Sequence, residues 1–343
     1  MTWQSSLQLH FDYVADTTKT RLYHRAHTGA LVVQRALYPE PDSQAGICHI
    51  YVLYPPAGIA DDDRLTLDFN LRPNSHAVIT TPGAGKWYGQ RQSLRSATSS
   101  DSSTLTADSH LINSDSVNSD LLDSDFLNTN NARSIHMPVD YAISAEQHIE
   151  AHLADHAILE WLPQESIYYD HSVSCAHNRF FLTKTASLLT WDIAVFGRQA
   201  YQETFANGHY INHLEIWRDE DLLVSERTCQ QANTRWFTSP LGLNNQHVHG
   251  SFWAIPSTEV IAPELQNNPI KLGQYLDDTI TEMRHIIYQQ SLPIHCTHNY
   301  QGINCRYLGA DVRACFEAFY QLREFIRLKW YALETHRPRI WDT

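Results

Sequence analysis

The feature that most constrains this chain is a change in the period of its apolar residues. Between Leu65 and Leu71, the apolar Leu65, Leu67, Phe69 and Leu71 alternate with Thr66, Asp68 and Asn70, the period of a strand with one buried and one wet face. His76-Ala77-Val78-Ile79-Thr80-Thr81 repeats the pattern before the breaker Pro82-Gly83-Ala84-Gly85, so the first ninety residues read as short-spaced antiparallel β. Strand patterning resumes at Ala157-Ile158-Leu159-Glu160-Trp161-Leu162, and a hairpin over His213 to Arg227 turns at Asp219-Glu220-Asp221. The period then becomes helical. Leu272, Tyr275, Leu276, Ile280, Met283 and Ile287 form one stripe, and Val312, Cys315, Phe316, Phe319, Leu322, Ile326 and Trp330 form a second, capped by Asp311. Strands followed by two amphipathic helices give a mostly β, α+β fold and argue against a doubly wound nucleotide-binding sheet.

One segment cannot join that core. Two-thirds of the residues from Ser93 to Asn131 are Ser, Thr, Asn or Asp, and the stretch reads as a disordered insertion (93–131) in a single domain spanning 1–343. The rest is apolar and aromatic enough to pack, at 43% and 11% of the chain. A formal net charge of −13 argues against broad binding to nucleic acid or to an anionic membrane. The N-terminus lacks a basic, then apolar, leader and no run approaches a membrane span, so a soluble, unexported protein is expected. The cysteines Cys48, Cys175, Cys229, Cys296, Cys305 and Cys315 show no C-x-x-C spacing, which predicts free thiols.

Twenty histidines are the compositional outlier, and histidine is the commonest transition-metal ligand. His148, His152 and His156 would line one face of a helix, but on a strand His148 and His152 stand roughly 13 Å apart, too far to share an ion. His247-Val248-His249 and His295-Cys296-Thr297-His298 each place two weak metal candidates close together. Asp61-Asp62-Asp63 reads either as a solvated turn or as oxygen donors for a cation. Gly83-Ala84-Gly85-Lys86 is not a phosphate loop, since Thr80 replaces the first glycine and Trp87 the magnesium-binding hydroxyl. No nucleophile elbow or dinucleotide fingerprint occurs.

Several further strings stand in a fixed order along the chain. They begin with Lys19-Thr20-Arg21-Leu22, Gly29-Ala30-Leu31-Val32-Val33-Gln34-Arg35 and Tyr38-Pro39-Glu40. Cys48-His49-Ile50-Tyr51-Val52-Leu53-Tyr54-Pro55-Pro56-Ala57-Gly58-Ile59, Asp63-Arg64-Leu65-Thr66 and Thr80-Thr81-Pro82-Gly83-Ala84-Gly85-Lys86-Trp87-Tyr88 follow. Leu159-Glu160-Trp161-Leu162-Pro163-Gln164-Glu165-Ser166-Ile167, Gly197-Arg198-Gln199-Ala200 with Glu203 and Phe205, and Pro338-Arg339-Ile340-Trp341 complete the series. Taken in this order, the strings resemble the UreD (UreH) family of urease accessory proteins.

The resemblance implies a helix-like stack of β-sheets, no catalytic residues, a cytoplasmic location, and partnership with UreF, UreG and apourease. It implies no tightly bound cofactor and a transient nickel ion moving through an internal, water-filled passage. Asp63, Lys86, Glu165 and Glu203, each inside a matching string, are the residues it places along or beside that route, with ion pairs or turn caps as the alternative roles. The C-terminal helices are expected to offer UreF an apolar face. Two departures are visible: Ala60-Asp61-Asp62 and Asp170-His171-Ser172 stand where the family commonly carries glycine. Two rival readings are a metal-dependent hydrolase using His247, His249 and Asp63, and a stand-alone nickel store built on the histidines.

Overall fold

The strand periods become two stacked sheets, seen in a computed structural model that describes residues 3–41, 46–60, 62–89, 145–257, 259, 268–299, 301–334 and 336–342. In chain order the strands are β1 (Gln4–Val14), β2 (Lys19–Thr28), β3 (Val32–Val33), β4 (Cys48–Leu53), β5 (Asp63–Leu71), β6 (His76–Thr80), β7 (Gly85–Trp87), β8 (Ala145–Leu153) and β9 (Ile158–Trp161). They continue as β10 (Ser166–Tyr168), β11 (Val173–Leu182), β12 (Ser187–Phe196), β13 (His209–Arg218), β14 (Asp221–Gln231), β15 (Val248–Ile255), β16 (Ile294–Asn299) and β17 (Gly302–Gly309). Two long helices, α1 (Pro269–Gln289) and α2 (Val312–Tyr331), flank and follow the last hairpin. One sheet runs β14-β13-β11-β8-β5-β1-β2; the other runs β16-β17-β15-β12-β9-β6-β4-β3, with β10 and β7 continuing from β12.

The chain shuttles between the sheets, β5 to β6, β8 to β9, β11 to β12, so successive visits to a sheet run in the same direction. The pairs β5–β8, β8–β11 and β11–β13 are parallel, as are β4–β6, β6–β9 and β9–β12. This is the expected helix-like stack, and it corrects the antiparallel reading of the first ninety residues in part: β1 pairs β5, and β4 pairs β6, in parallel, while β1–β2 and β3–β4 are antiparallel as read. Alternation reports which face is buried, not which strand lies alongside. The corners repeat: Ser75 N–H donates to Arg72 O, Ala157 N–H to Ala154 O and Ala186 N–H to Thr183 O, each after register-matched Leu71, Leu153 or Leu182. The expected hairpin is present as antiparallel β13–β14.

Two apolar cores result. Leu7, Leu9, Phe69, Phe180 and Trp161 pack between the sheets, while Trp191, Phe252, Leu276, Met283, Phe319 and Ile326 pack between the second sheet and the helices. The middle strand β12 is therefore covered on both faces, and nine of its ten residues are buried. The Asp311 carboxylate accepts from Arg313 N–H and Ala314 N–H, the N-cap expected for α2. Both helical stripes turn toward the sheet, so the apolar face expected to meet UreF is already occupied. Ile270, Tyr288 and Leu328 are the large apolar residues the helices leave exposed.

The second core also buries charge. Arg323 Nε lies 2.6 Å and Arg327 Nε 3.5 Å from the Glu160 carboxylate, while Arg327 Nη2 lies 3.1 Å from Glu40. His49 Nε2 is 2.8 Å from Glu40, and His76 Nε2 is 2.8 Å from Glu160. Nearby, Trp341 Nε1–H donates to Thr80 Oγ1 at 2.8 Å, fastening the last family-like string to β6. Both glycine departures adopt the left-handed conformation, Asp62 at φ 62° and His171 at φ 65°.

Chain contacts gather Met1–Gln90 with Ile143–Thr343 into one unit. The insertion read at 93–131 lies outside the described residues, as does Asp61. Among the described residues no helix is long and apolar enough to cross a membrane.

Candidate functional site: a polar lumen between the sheets

The inter-sheet core gives way to a cavity of about 1060 Å³, room for about thirty-five waters at roughly 30 Å³ each. It opens where small and polar side chains replace the Leu and Phe of the core: Gln147, Asn178 and Asn212 from the first sheet face Thr190, Asp192 and Ser251 from the second. The Gly83–Lys86 segment lines it on one side, and His249, His295 and Arg306 line it elsewhere.

Its polar groups form a partly satisfied chain. Asn212 Nδ2 donates to Asp192 Oδ2 at 2.7 Å and to Tyr210 OH at 3.1 Å. Ser251 Oγ lies 3.4 Å from Glu226 Oε2, and Asn304 Nδ2 donates to Ser251 Oγ at 3.2 Å. Arg306 Nε donates to Asn304 Oδ1 at 2.8 Å, and its guanidinium pairs with Glu226. Among the described residues no cation pairs with Asp192. Three buried atoms on lining residues have no protein hydrogen-bond partner: Asn212 Oδ1, Trp253 Nε1 and Tyr54 OH. An unsatisfied buried polar atom is costly, so these atoms are weak points of the lining.

Burial pushes the Asp192 carboxyl up to about 6, against the Asn212 hydrogen bond and with help from Glu226. Asp192 is deep in the protein yet keeps a half-open face on the lumen. Burial, reinforced by Arg306, lowers His249 to about 4, so at neutral pH its imidazole is uncharged. The lining thus offers oxygen and nitrogen donors with modest net charge, suited to brief contact with a cation rather than tight binding.

Sequence-predicted residues fall on both sides of this wall. Lys86, His249 and His295 line the lumen. Asp63 is a buried turn fastener: its Oδ1 accepts from Trp3 N–H at 2.7 Å and its Oδ2 from Ala60 N–H at 3.0 Å. Glu203 accepts from Arg198 Nε at 2.9 Å and from Asp170 N–H at 3.2 Å, and the Arg198 guanidinium holds its carboxyl below the usual range. Glu165 is not among the residues that line the lumen; burial, then Asp192 and Glu165, raise the Cys315 thiol. His247 precedes β15 and is not in the lumen wall, and His298 Nε2 is engaged with Asp277 at 2.9 Å. His247, His249 and Asp63 are therefore not brought together, and among the described residues no three His, Cys, Asp or Glu side chains converge on one point. His148 and His152 lie on strand β8 and His156 in the corner after it, as the strand alternative requires.

Sequence reasoning passed over Asp192, Tyr210, Asn212, Glu226 and Ser251. A signal for Asp192 was present: the one charged residue in the run Ser187-Leu188-Leu189-Thr190-Trp191-Asp192-Ile193-Ala194-Val195-Phe196.

Comparison with known proteins agrees with the ordered strings. The family model for the UreD urease accessory protein matches residues 4–342. A urease accessory protein UreD 2 of Psychrobacter cryohalolentis is 76% identical over 347 residues, covering 100% of both chains. A urease accessory protein UreD of Acinetobacter baumannii is 34% identical over 341 residues, covering 99% of this chain and 95% of its own. A Methylobacillus flagellatus UreD is 30% identical over 342 residues with the same coverage. A match of this extent, on a fold whose two sheets enclose a polar lumen, shows that the chain belongs to the UreD family of urease accessory proteins.

Proposed function

We propose that the chain is a cytoplasmic, non-catalytic scaffold in urease maturation that binds apourease with UreF and UreG and lets nickel pass through its lumen. The observation that carries the nickel route is the lumen itself, about 1060 Å³ in volume and edged by Asp192, whose carboxylate has an amide partner and, among the described residues, no cationic one. A cation exchanging part of its water shell for Asp192, Asn212 and Glu226 gains enough to enter and little enough to leave. Nickel is cargo in this reading, and no tightly bound cofactor is called for. Lys86 stands at the wall, whereas Asp63 and Glu203 support the walls through a turn and an ion pair, and Glu165 stays a candidate for the route through its matching string alone. Arg306 of β17 pairs with Glu226 of β14 and so ties the two sheets together beside the lumen, while Arg198 pairs with Glu203 within the loop between β12 and β13.

Activation of apourease by nickel, with UreF and UreG present, tests the reading. The chain should co-elute with the complex and raise activation. Asn212→Phe, which fills the lumen, should leave co-elution intact and abolish the gain. Equal activation without the chain contradicts the scaffold; equal activation with the filled lumen contradicts the route.

A further inference from the structure

At the edge of the second sheet, two thiols face each other across one hairpin. Cys296 of β16 and Cys305 of β17 are register partners on antiparallel strands, and their Sγ atoms lie 2.9 Å apart. Antiparallel register partners stand about 4.5 or 5.5 Å apart between Cα atoms, and both spacings fall inside the roughly 4.4–6.8 Å that a disulfide spans. Both thiols are free in this structure. Closing the bond brings the sulfurs together by less than about 1 Å, within a hairpin already in register. No such geometry joins Cys175 to Cys229, whose rows match through Ile211 of the intervening β13. Two strand spacings put that pair roughly 10 Å apart, beyond the reach of a disulfide.

The two facing thiols differ in access. Cys305 is fully buried, whereas Cys296 is 6% exposed and lines an open surface cavity of about 670 Å³ with Arg284, Tyr288, Leu292 and Ile294. Tyr288, on that wall, is 84% exposed, so small solutes reach the cavity. Arg284 Nη2 donates to the Cys296 carbonyl at 2.9 Å, which sets a guanidinium beside that residue. Burial, then contact with Cys296, holds the Cys305 thiol well above its ordinary value, so Cys305 is not the group that meets an oxidant first.

We propose that Cys296 and Cys305 are a reversible oxidation site for a small peroxide, with Cys296 the attacking sulfur and Cys305 the resolving one. The Cys296 thiolate attacks one oxygen of hydrogen peroxide. A sulfur–oxygen bond forms, the oxygen–oxygen bond breaks, and the departing hydroxide takes up the proton that the thiol released. Cys305 then attacks the sulfur of the Cys296 sulfenic acid. The sulfur–sulfur bond forms, the sulfur–oxygen bond breaks, and hydroxide leaves with the Cys305 proton as a second water. Two thiols and one hydrogen peroxide thus give one disulfide and two waters, and peroxide gains the two electrons that sulfur loses. A thiol reductant reverses the step by exchange. The bridge ties β16, the edge strand of that sheet among the described residues, to β17, and α1 packs on the same hairpin through Leu276 and Met283.

Hydrogen peroxide added to the reduced, full-length chain, followed by denaturing alkylation and a tryptic digest, tests the site. One fragment, from His285 to Arg306, carries both cysteines. It should escape alkylation and be two hydrogens lighter than the reduced fragment, so that two of the six thiols are lost per chain. Dithiothreitol should restore both. The oxidised chain should melt at a higher temperature than the reduced one, a gain that dithiothreitol removes. In Cys305→Ser the bridge should vanish, and dimedone, which traps sulfenic acid, should label Cys296. Cys229→Ser, which removes the exposed thiol, should oxidise as the unaltered chain does. Should Cys305→Ser fail to fold, the fragment from the unaltered chain still decides. Full alkylation of both cysteines after peroxide, or a bridge that forms only once the chain is denatured, would overturn the proposal. None of these readouts uses urease activation, so the thiol pair and the lumen route stand or fall separately.

Discussion

The lumen between the sheets and the ionic cluster beneath α2 bury acidic groups in opposite ways. Glu160 and Glu40 meet Arg323, Arg327, His49 and His76 at salt-bridge distance, whereas Asp192 meets an amide and open volume. Burial raises the Glu160 carboxyl, but Arg323, Arg327 and His76 outweigh it and hold the group well below the ordinary carboxylate range. At Asp192 burial wins. Opposite charges mark a clamp that joins the C-terminal helix to β4, β6 and β9, even though Arg323 Nη2, Arg327 Nη1 and His49 Nδ1 find no hydrogen-bond partner there; a buried carboxylate with no counter-charge is a different arrangement.

The largest expected effect breaks the clamp. Glu160→Gln leaves Arg323 and Arg327 short of a counter-charge and should cost about 3–5 kcal/mol, seen as a lower denaturant midpoint with unchanged m-value.

Acid should separate the regions by sign. Glu160 and Glu40 have lowered folded-state pKa values, so their contribution is present above the ordinary carboxylate range and lost as pH falls below it. Asp192 has a raised value, so its ionisation penalty is absent at low pH and grows as pH rises through about 6. Asp192→Asn should therefore stabilise the chain on the order of 1 kcal/mol at pH 8, lumen water taking up part of the penalty, and leave stability unchanged near pH 4. Denaturant melts at the two pH values check this, and a destabilised Asp192→Asn at pH 8 would make Asp192 another clamp.

The smallest effect is at the rim. Among the described residues Lys86 has no carboxylate partner, so Lys86→Met should shift the denaturant midpoint by less than about 0.5 kcal/mol. A larger loss would mean that the rim holds the fold.

The sequence exposed the fold unevenly, for physical reasons. The helices and the N-cap Asp311 were legible because their signals are local. The β13–β14 hairpin was legible because its partners are adjacent in the chain. Parallel pairing was hidden because β5 and β8 are joined through a long stretch of sequence, and because one wet face gives β5 the alternation of an antiparallel strand. The repeated corners after Leu71, Leu153 and Leu182 were the available clue. Arg323 and Arg327 sit within a helix whose apolar stripe predicted burial but not a buried ion cluster. At the site, Lys86 was found through a family string, while Asp192 and Asn212 come together only across sheets, which no spacing along the chain displays.

The most direct test of the account is nickel loaded per urease active site, normalised to assembled complex, with Asp192→Asn in place of the unaltered chain. The account predicts intact assembly, an undiminished denaturant midpoint and a loading rate reduced on the order of tenfold, from the weaker hold of an amide on a divalent cation. Loading equal to that of the unaltered chain, on an equally assembled complex, would contradict it.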